Sequence, residues 1–211
     1  ALAAKGASVL GVRADVSKLS EVEALAAKTQ SQFGAVHVVC NNAGVAGPGG
    51  AIWETTEADW QWVLGPNLWG VIHGVRVFVP ILLQQGDEGH VINTASIAGM
   101  ISGPGLSIYK VTKHAVVTLS ETLHHDLKMA GAKIGCSVLC PAWVATRIAE
   151  SERNRPAELS NPARAATPQE VAMADIAKQI IAGGIAPAPE QRQPAGPRER
   201  PGACRNRRRM E

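Results

Sequence analysis

The chain has few aromatic residues and no long apolar run. Its 211 residues include one Tyr, two Phe and five Trp, while apolar residues make up 45% of the total. No apolar stretch reaches the roughly 20 residues that a membrane-spanning helix needs, so we expect no membrane association. The length suits one domain with a buried core.

Cysteine is scarce, and metal-ligand spacing is missing. The four cysteines (Cys40, Cys136, Cys140 and Cys204) are too few and too scattered for a disulfide framework. Reduced thiols are typical of cytosolic proteins, so we expect a cytoplasmic location. The six histidines show no metal-binding pattern, and no metal site is predicted.

A basic surface is also missing from most of the chain. The net charge is +3, but residues 187–211 alone hold seven Arg and three Glu, so residues 1–186 are close to neutral. Nucleic-acid binding needs a basic face on the folded domain, and none is predicted here. Residues 187–211 are rich in Pro and Arg, which predicts a disordered tail after a domain formed by residues 1–186.

Within residues 1–186, apolar runs alternate with helical patterns. The predicted strands are residues 8–12, 36–40, 90–93 and 134–139, and the predicted helices are residues 18–32, 56–64, 67–84, 107–130 and 168–181. This order predicts an α/β fold with a parallel sheet between two layers of helices. The run at 36–40 is continuously apolar, as expected for a strand that is buried on both faces.

Polar residues follow each predicted strand. Asp15 comes after the first, Asn41-Asn42-Ala43-Gly44 after the second, Ser96 after the third and the segment 141–146 after the fourth. In parallel sheets, ligands bind at the carboxyl ends of the strands. The sequence therefore predicts a binding site at that edge.

The only tyrosine, Tyr109, lies one helical turn before Lys113 and thirteen residues after Ser96. A free tyrosine has a pKa near 10, so proton exchange near neutral pH needs a depression of roughly 2–3 units. A neighbouring ammonium favours the phenolate, and a serine hydroxyl can stabilise a developing negative charge on a substrate oxygen. The three side chains together therefore suit acid/base chemistry at a carbonyl or an alcohol.

These motifs resemble, in order, those of the short-chain dehydrogenase/reductase family. The matching features are Asn41-Asn42-Ala43-Gly44, Asn67, the interval from Ser96 to Tyr109, Tyr109-x-x-x-Lys113 and residues 141–146. The resemblance extends over about residues 1–182. It implies a Rossmann-type, doubly wound, three-layer α/β/α fold and an oxidoreductase that interconverts a secondary alcohol and a carbonyl with NAD or NADP. It also implies a homodimer or a homotetramer.

The resemblance implies a catalytic role for four residues. Tyr109 would exchange a proton with the substrate oxygen, Ser96 would polarise the carbonyl, and Lys113 would lower the pKa of Tyr109 and bind the nicotinamide ribose. Asn67 would hold a water molecule that links Lys113 to solvent.

The resemblance also implies a set of cofactor contacts. Asp15 and Val16 would contact the adenine, Asn42, Ala43 and Gly44 would lie beside the adenosine ribose, and Val144 and Thr146 would meet the carboxamide. Residues 147–166 would form a substrate lid, and Trp143 is a candidate substrate neighbour.

The chain departs from the family pattern at its start. The first two strands and the glycine-rich phosphate-binding turn have no counterpart, and without them the strand at 8–12 cannot pair with the strand at 36–40 in the usual order. The leading alternative is therefore a non-catalytic fragment of such an enzyme. A dehydratase or an epimerase on a related scaffold also remains open.

Overall fold

The structure is a computed structural model that describes residues 2–144 and 146–160, together with Val171, Asp175 and Gln179. Three parallel strands form a sheet in the order β1-β2-β3, with β1 at Val38–Asn41, β2 at Gly89–Thr94 and β3 at Ile134–Leu139. Asn41 lies opposite Asn93, and Thr94 lies opposite Leu139. The three carboxyl ends therefore meet at one edge, as predicted.

Among residues 2–144 and 146–160, four α-helices connect and cover these strands. They are α1 at Leu19–Phe33, α2 at Glu57–Leu64, α3 at Gly70–Gln85 and α4 at Ser107–Met129. Short 3₁₀ turns lie at Ala3–Lys5, Ile52–Glu54, Ile97–Gly99, Ile148–Asn154 and Ala157–Leu159. The helices predicted at 18–32, 56–64, 67–84 and 107–130 are thus confirmed to within a few residues. Of the helix predicted at 168–181, only the three isolated residues are described, and the tail at 187–211 lies outside the described residues.

The main core forms where α1, α3 and α4 meet the sheet. On α4, the buried residues Val116, Ser120, Leu123 and Leu127 recur every three or four positions, which places them on one face of the helix. The apolar members of this core include Val22 and Ala26 of α1, Phe78 and Leu82 of α3, Leu123 and Leu127 of α4, and Val39, Val91 and Ile134 of the sheet. Burying each such side chain stabilises the fold by about 1.5–3 kcal/mol.

Helix α2 continues into α3 without a break. The connecting residues Gly65–Trp69 form a π-turn in which the N–H of Gly70 donates to the carbonyl of Gly65. Pro66 has no N–H to donate, and the wider π-turn accommodates it within the helix. The helices predicted at 56–64 and 67–84 therefore form one continuous helical stretch. Asn67 is fully buried inside this turn.

Two expectations about the strands are wrong. Residues 8–12 form no strand and are mostly exposed, because the described structure offers them no neighbouring strand to pair with. Strand β1 is buried on one face only: Val39 is 7% exposed, whereas Val38 is 59% exposed. Side chains alternate across a strand, and one face of β1 remains uncovered in the described structure.

The continuous helical stretch Glu57–Gln85 is long and apolar enough to cross a membrane by length and composition alone, with a mean hydropathy of 1.3 over its most apolar part. About 44% of that part is buried inside the protein. Core helices pass the same test, and α3 contributes Val71, Phe78 and Leu82 to the interior. The absence of a membrane span stays a prediction.

Candidate active site

The strands place Ser96 at the edge where their carboxyl ends meet. Beyond the last ladder pair, the N–H of Ala95 donates to the carbonyl of Leu139 at 2.8 Å, and the N–H of Ile97 donates to the carbonyl of Pro141 at 3.0 Å. These bonds extend the pairing of β2 with β3 by one step on either side of Ser96. The position of Ser96 is therefore fixed by the sheet rather than by a free loop.

The Ser96 side chain is 8% exposed and caps the 3₁₀ turn Ile97–Gly99. Its Oγ accepts from the N–H of Ala98 at 3.1 Å and donates weakly to the carbonyl of Pro141 at 3.4 Å. A side-chain hydrogen bond also joins Ser96 to Tyr109. The structure thus brings together the two hydroxyl groups that the sequence placed thirteen residues apart.

Tyr109 lies in the first turn of α4 and is half-buried. Burial raises the pKa of Tyr109 above its ordinary value, and the hydrogen bond with Ser96 opposes this rise. The expected lowering of the pKa by Lys113 is therefore not found. The Lys113 Nζ atom lies 5.5 Å from the centroid of the tyrosine ring, and desolvation of the phenolate is the largest influence on the pKa of Tyr109.

Lys113 is 3% exposed and reaches the end of β2. Its Nζ donates to the carbonyl of Thr94 at 2.8 Å. Burial lowers the pKa of Lys113 to about 8. An ammonium group has three N–H donors, and the described residues supply this one acceptor, so two donors remain for other ligands at the site.

The buried amide of Asn67 ties the π-turn to the segment after β1. Its Oδ1 accepts from the N–H of Val45 at 2.8 Å, and its Nδ2 donates to the carbonyl of Val45 at 2.9 Å. Nδ2 also lies 3.3 Å from Oγ1 of Thr112, which itself donates to the carbonyl of Tyr109 at 2.7 Å. Asn67 is therefore linked to the Tyr109 backbone through Thr112.

Two glycines allow the backbone to pack closely against the site residues. A Cβ atom at Gly44 would lie 3.1 Å from Oδ1 of Asn67 and 3.5 Å from Nζ of Lys113, so this backbone borders the two site residues directly. A Cβ atom at Gly99 would lie 2.6 Å from the carbonyl carbon of Lys113. The loop after Ser96 therefore packs directly on the backbone of α4.

A cleft of about 240 Å³ lies along the free edge of β1, between α1 and α3. Asn42 and Ala43 line it, together with Val16 from the segment before α1. The carbonyl of Val16 accepts from Nδ1 of the buried His73 at 3.0 Å, so Nδ1 carries the proton. Asn42 accepts from the hydroxyl of Thr94 at 3.1 Å. Three of the residues predicted for the adenosine half of the cofactor thus share one cleft.

Asp15 forms side-chain contacts with residues that are close to it in the sequence. Its Oδ1 accepts from the N–H of Ser17 at 3.0 Å and from the hydroxyl of Ser17 at 2.7 Å, and Lys18 lies 3.5 Å from Oδ2. Partial burial raises the pKa of Asp15, but the bonds from Ser17 and the charge of Lys18 outweigh it and hold the pKa below its usual value. The carboxylate therefore orders the turn that leads into α1.

Val144 and Thr146 are exposed in the segment after β3. The following lid segment is attached to the protein at two buried points. Ser151, which is 4% exposed, accepts from the N–H of Ala46 at 3.0 Å. Arg155 forms an ion pair with Asp59 of α2 at 2.8 Å.

Sequence reasoning missed Thr112, Ser151, Asp59 and His73, all of which are buried and polar. Asp59 belongs to a capping box with Thr56, three residues earlier, and that spacing was visible in the sequence. Thr112 precedes Lys113 directly and lies one turn after Tyr109. Neither pattern indicates which distant residue the side chain of Asp59 or Thr112 contacts.

Comparison with known proteins defines the class. A family model described as short chain dehydrogenase matches residues 1–157, and the chain belongs to this family. The CLA biosynthesis dehydrogenase/reductase of Lactiplantibacillus plantarum is 38% identical over 158 residues, which are 75% of this chain and 55% of that protein. The 2-(R)-hydroxypropyl-CoM dehydrogenase of Xanthobacter autotrophicus is 36% identical over 163 residues, which are 76% of this chain and 64% of the relative.

Solved structures agree on the fold. A short chain dehydrogenase/reductase from Burkholderia phymatum, in complex with NAD, is 51% identical with a TM-score of 0.81, and the match covers 87% of this chain and 64% of that one. Levodione reductase is 32% identical with a TM-score of 0.66, and the match covers 72% of this chain and 58% of that one. The predicted Rossmann-type α/β fold is thereby confirmed. The chain spans about half the length of the curated relatives it matches.

Proposed function

We propose that this protein interconverts a secondary alcohol and a carbonyl by hydride transfer with NAD or NADP, with Tyr109 as the acid/base. The observation that carries the proposal is the convergence of three side chains. Ser96 is hydrogen-bonded to Tyr109, and the buried Lys113 lies with its Nζ 5.5 Å from the tyrosine ring. Relatives with matching sequence carry names of dehydrogenases and reductases.

Tyr109 and Ser96 would act together on the substrate oxygen. During reduction of a ketone, the Tyr109 hydroxyl donates a proton to that oxygen, while Ser96 donates a hydrogen bond to the developing charge. The raised pKa of Tyr109 keeps the hydroxyl protonated at neutral pH, which favours its action as an acid. In the oxidation direction the same oxygen accepts the proton, and this requires the phenolate.

The residues around Lys113 fit a nicotinamide cofactor, which supplies or accepts the hydride when bound. The Gly44 backbone leaves space beside Asn67 and Lys113 that a single Cβ atom would fill. The two remaining donors of Lys113 would bind the ribose hydroxyls. Val16, Asn42 and Ala43 would line the adenosine side, where the cleft along β1 lies. Val144 and Thr146 would approach the carboxamide from the exposed segment after β3.

Calorimetric titration of NADH and NADPH into the purified chain tests this directly. Binding of either cofactor, followed by its oxidation in the presence of methyl ketones, is the expected result. Tyr109→Phe should reduce turnover by about 10²–10⁴-fold, the usual contribution of a positioned acid/base. Lys113→Met should abolish binding, whereas the matched control Lys128→Met, on the exposed end of the same helix, should leave both unchanged. Absence of both binding and turnover would support the non-catalytic alternative.

We further propose that the protein forms a homodimer or a homotetramer through α3 and α4. A groove of about 500 Å³ between these helices is lined by Val75, Leu119 and Leu123. The exposed Thr118 lies in the same groove. Light scattering of the purified chain should give a multiple of the protomer mass, and Thr118→Arg should reduce it to a single protomer. A monomeric wild-type chain would contradict this proposal.

A further inference from the structure

The loops around Ser96 and Tyr109 contain no ionisable residue other than Tyr109 itself. Residues 43–53, 95–109 and 141–146 include no Asp, Glu, Lys, Arg or His, although 18% of the whole chain is charged. These segments follow β1, β2 and β3, whose carboxyl ends meet at one edge of the sheet. We call these three segments the uncharged rim.

The uncharged rim instead exposes large apolar side chains. Those after β2 and β3 are between 43% and 60% exposed and comprise Ile97, Met100, Ile101, Trp143 and Val144, and Ile52 and Trp53 after β1 are 51% and 84% exposed. Their backbone is held close to the reacting groups: the N–H of Ile97 donates to the carbonyl of Pro141, and Gly99 packs on the backbone of Lys113. Ile97 and Gly99 of the rim therefore lie beside the segments that hold Ser96 and Lys113.

Apart from Lys113, whose two remaining donors are assigned to the cofactor ribose, the described cations that border the rim in sequence are engaged by the protein. Lys110 follows Tyr109 directly, but its Nζ donates to the carbonyls of Gly103, Pro104 and Gly105 at 2.8, 3.1 and 2.8 Å. Its three N–H donors are therefore used inside the rim itself.

The described arginines of the lid are occupied in the same way. Arg147 Nε donates to Glu150 at 2.8 Å, and Arg153 donates to the carbonyls of Arg147 and Glu150. Arg155 is paired with Asp59. Among the described residues next to the rim, these side chains are thus engaged by the protein and would have to break existing contacts to bind an anionic substrate.

We propose that the substrate of this site is an uncharged, apolar secondary alcohol or ketone that binds the uncharged rim without an ionic contact. This inference rests on the proposed oxidoreductase function. A carboxylate, phosphate or sulfonate placed here would lose hydration, and once Lys113 holds the cofactor it would find no unengaged cation among the described side chains that border the rim. Each methylene group buried against the rim instead strengthens binding by about three- to fourfold.

A matched series of ligands tests the proposal. We would measure binding by calorimetry and turnover with NADH and NADPH for methyl ketones from 2-butanone to 2-decanone, and for 9-oxodecanoate, in which a carboxylate replaces the terminal methyl group of 2-decanone. The dissociation constant should fall about threefold per methylene, and 9-oxodecanoate should bind at least tenfold more weakly than 2-decanone. Equal or tighter binding of the carboxylate, or no binding of any ketone, would overturn the proposal.

A charge introduced into the rim gives an independent check. Ile101→Lys should strengthen binding of 9-oxodecanoate about tenfold and weaken that of 2-decanone. The matched control Met129→Lys, at the 87% exposed end of α4, should change neither. No difference between the two variants would contradict the assignment of the rim as the substrate surface.

Measuring both binding and turnover distinguishes a failure of the proposed function from a failure of the proposed substrate class. Chain-length-dependent ketone binding without hydride transfer would remove the proposed function and leave the rim as an apolar binding surface. Turnover with a preference for the carboxylate would leave the oxidoreductase and overturn the substrate class.

Discussion

Arg155 and Asp59 form an ion pair at 2.8 Å in which the two side chains are only 8% and 4% exposed. The Asp59 carboxylate also accepts from the N–H and the hydroxyl of Thr56, at 2.9 and 2.8 Å. Arg155 additionally donates from Nε to the carbonyl of Leu159 at 2.7 Å. One buried side chain thereby joins the lid segment to α2.

Arg155→Met should destabilise the protein strongly. Removing one member of a buried pair leaves the other charge without its partner, which costs about 3–5 kcal/mol. The bonds from Thr56 to Asp59 place the expected loss at the lower end, about 3 kcal/mol. Urea denaturation measures this loss as a change in the free energy of unfolding. Arg153→Met removes a solvent-exposed pair with Glu150 and should cost less than about 1 kcal/mol. Equal losses for the two variants would contradict the structural role of the buried pair.

Gly99→Ala should separate the loop after Ser96 from α4. The new Cβ atom would lie 2.6 Å from the carbonyl carbon of Lys113 and 2.7 Å from its oxygen, so the backbone has to move. Overpacking of this kind costs about 1–3 kcal/mol. Thermal denaturation and turnover should both decline. Gly103→Ala is the control, because its Cβ atom would meet nothing closer than Lys110 Nζ at 3.8 Å.

Tyr109 is the only tyrosine in the chain, so the phenolate absorbance reports its titration alone. Absorbance of the phenolate should report a pKa for Tyr109 above its ordinary value of 10.0, since burial disfavours the charged form. Ser96→Ala should raise this pKa further, because the Ser96 hydrogen bond opposes the effect of burial. Circular dichroism recorded at each pH confirms that the chain is folded. A pKa below 10 in the cofactor-free protein would contradict the geometry described for Lys113 and Tyr109.

Lys113 should make stability rise with pH in a defined window. Its pKa is about 8 in the folded protein, against an ordinary value of 10.5 for a solvated lysine. Between these two values the unfolded chain binds more protons, so the folded state gains stability as the pH rises. Integrated over the window, the gain is on the order of 3 kcal/mol. The free energy of unfolding of the wild type relative to Lys113→Met should therefore increase from pH 8 to 10.5. A constant difference would show that the lysine is not buried.

Local sequence patterns predicted the four helices α1 to α4 and the strands β2 and β3 closely, because apolar periodicity and turn residues are local signals. The two expectations about strands that failed depend on neighbouring elements. Residues 8–12 have strand-forming composition but no partner to pair with in the described structure, and β1 has an apolar sequence but one uncovered face. Whether a strand forms, and how it is buried, is decided by what lies beside it.

The π-turn at Gly65–Trp69 escaped prediction for a different reason. Pro66 indicated a helix boundary, which is the usual consequence of a missing N–H. The packing of Asn67 against Val45 and Thr112 keeps the chain helical through the proline instead. A local rule was overridden by buried hydrogen bonds to residues 22 and 45 positions away.

The sequence by itself determined the order of the elements, the family motifs and the identity of the polar groups at the strand ends. Tyr109 and Lys113 share a helix face by spacing alone, and Ser96 follows a strand by pattern alone. The tertiary structure decided how these groups meet: the bond between Ser96 and Tyr109, the burial that raises one pKa and lowers another, and the Arg155–Asp59 pair. Charge states and ion pairs depend on desolvation and on distance between remote segments, and both arise only when the chain packs.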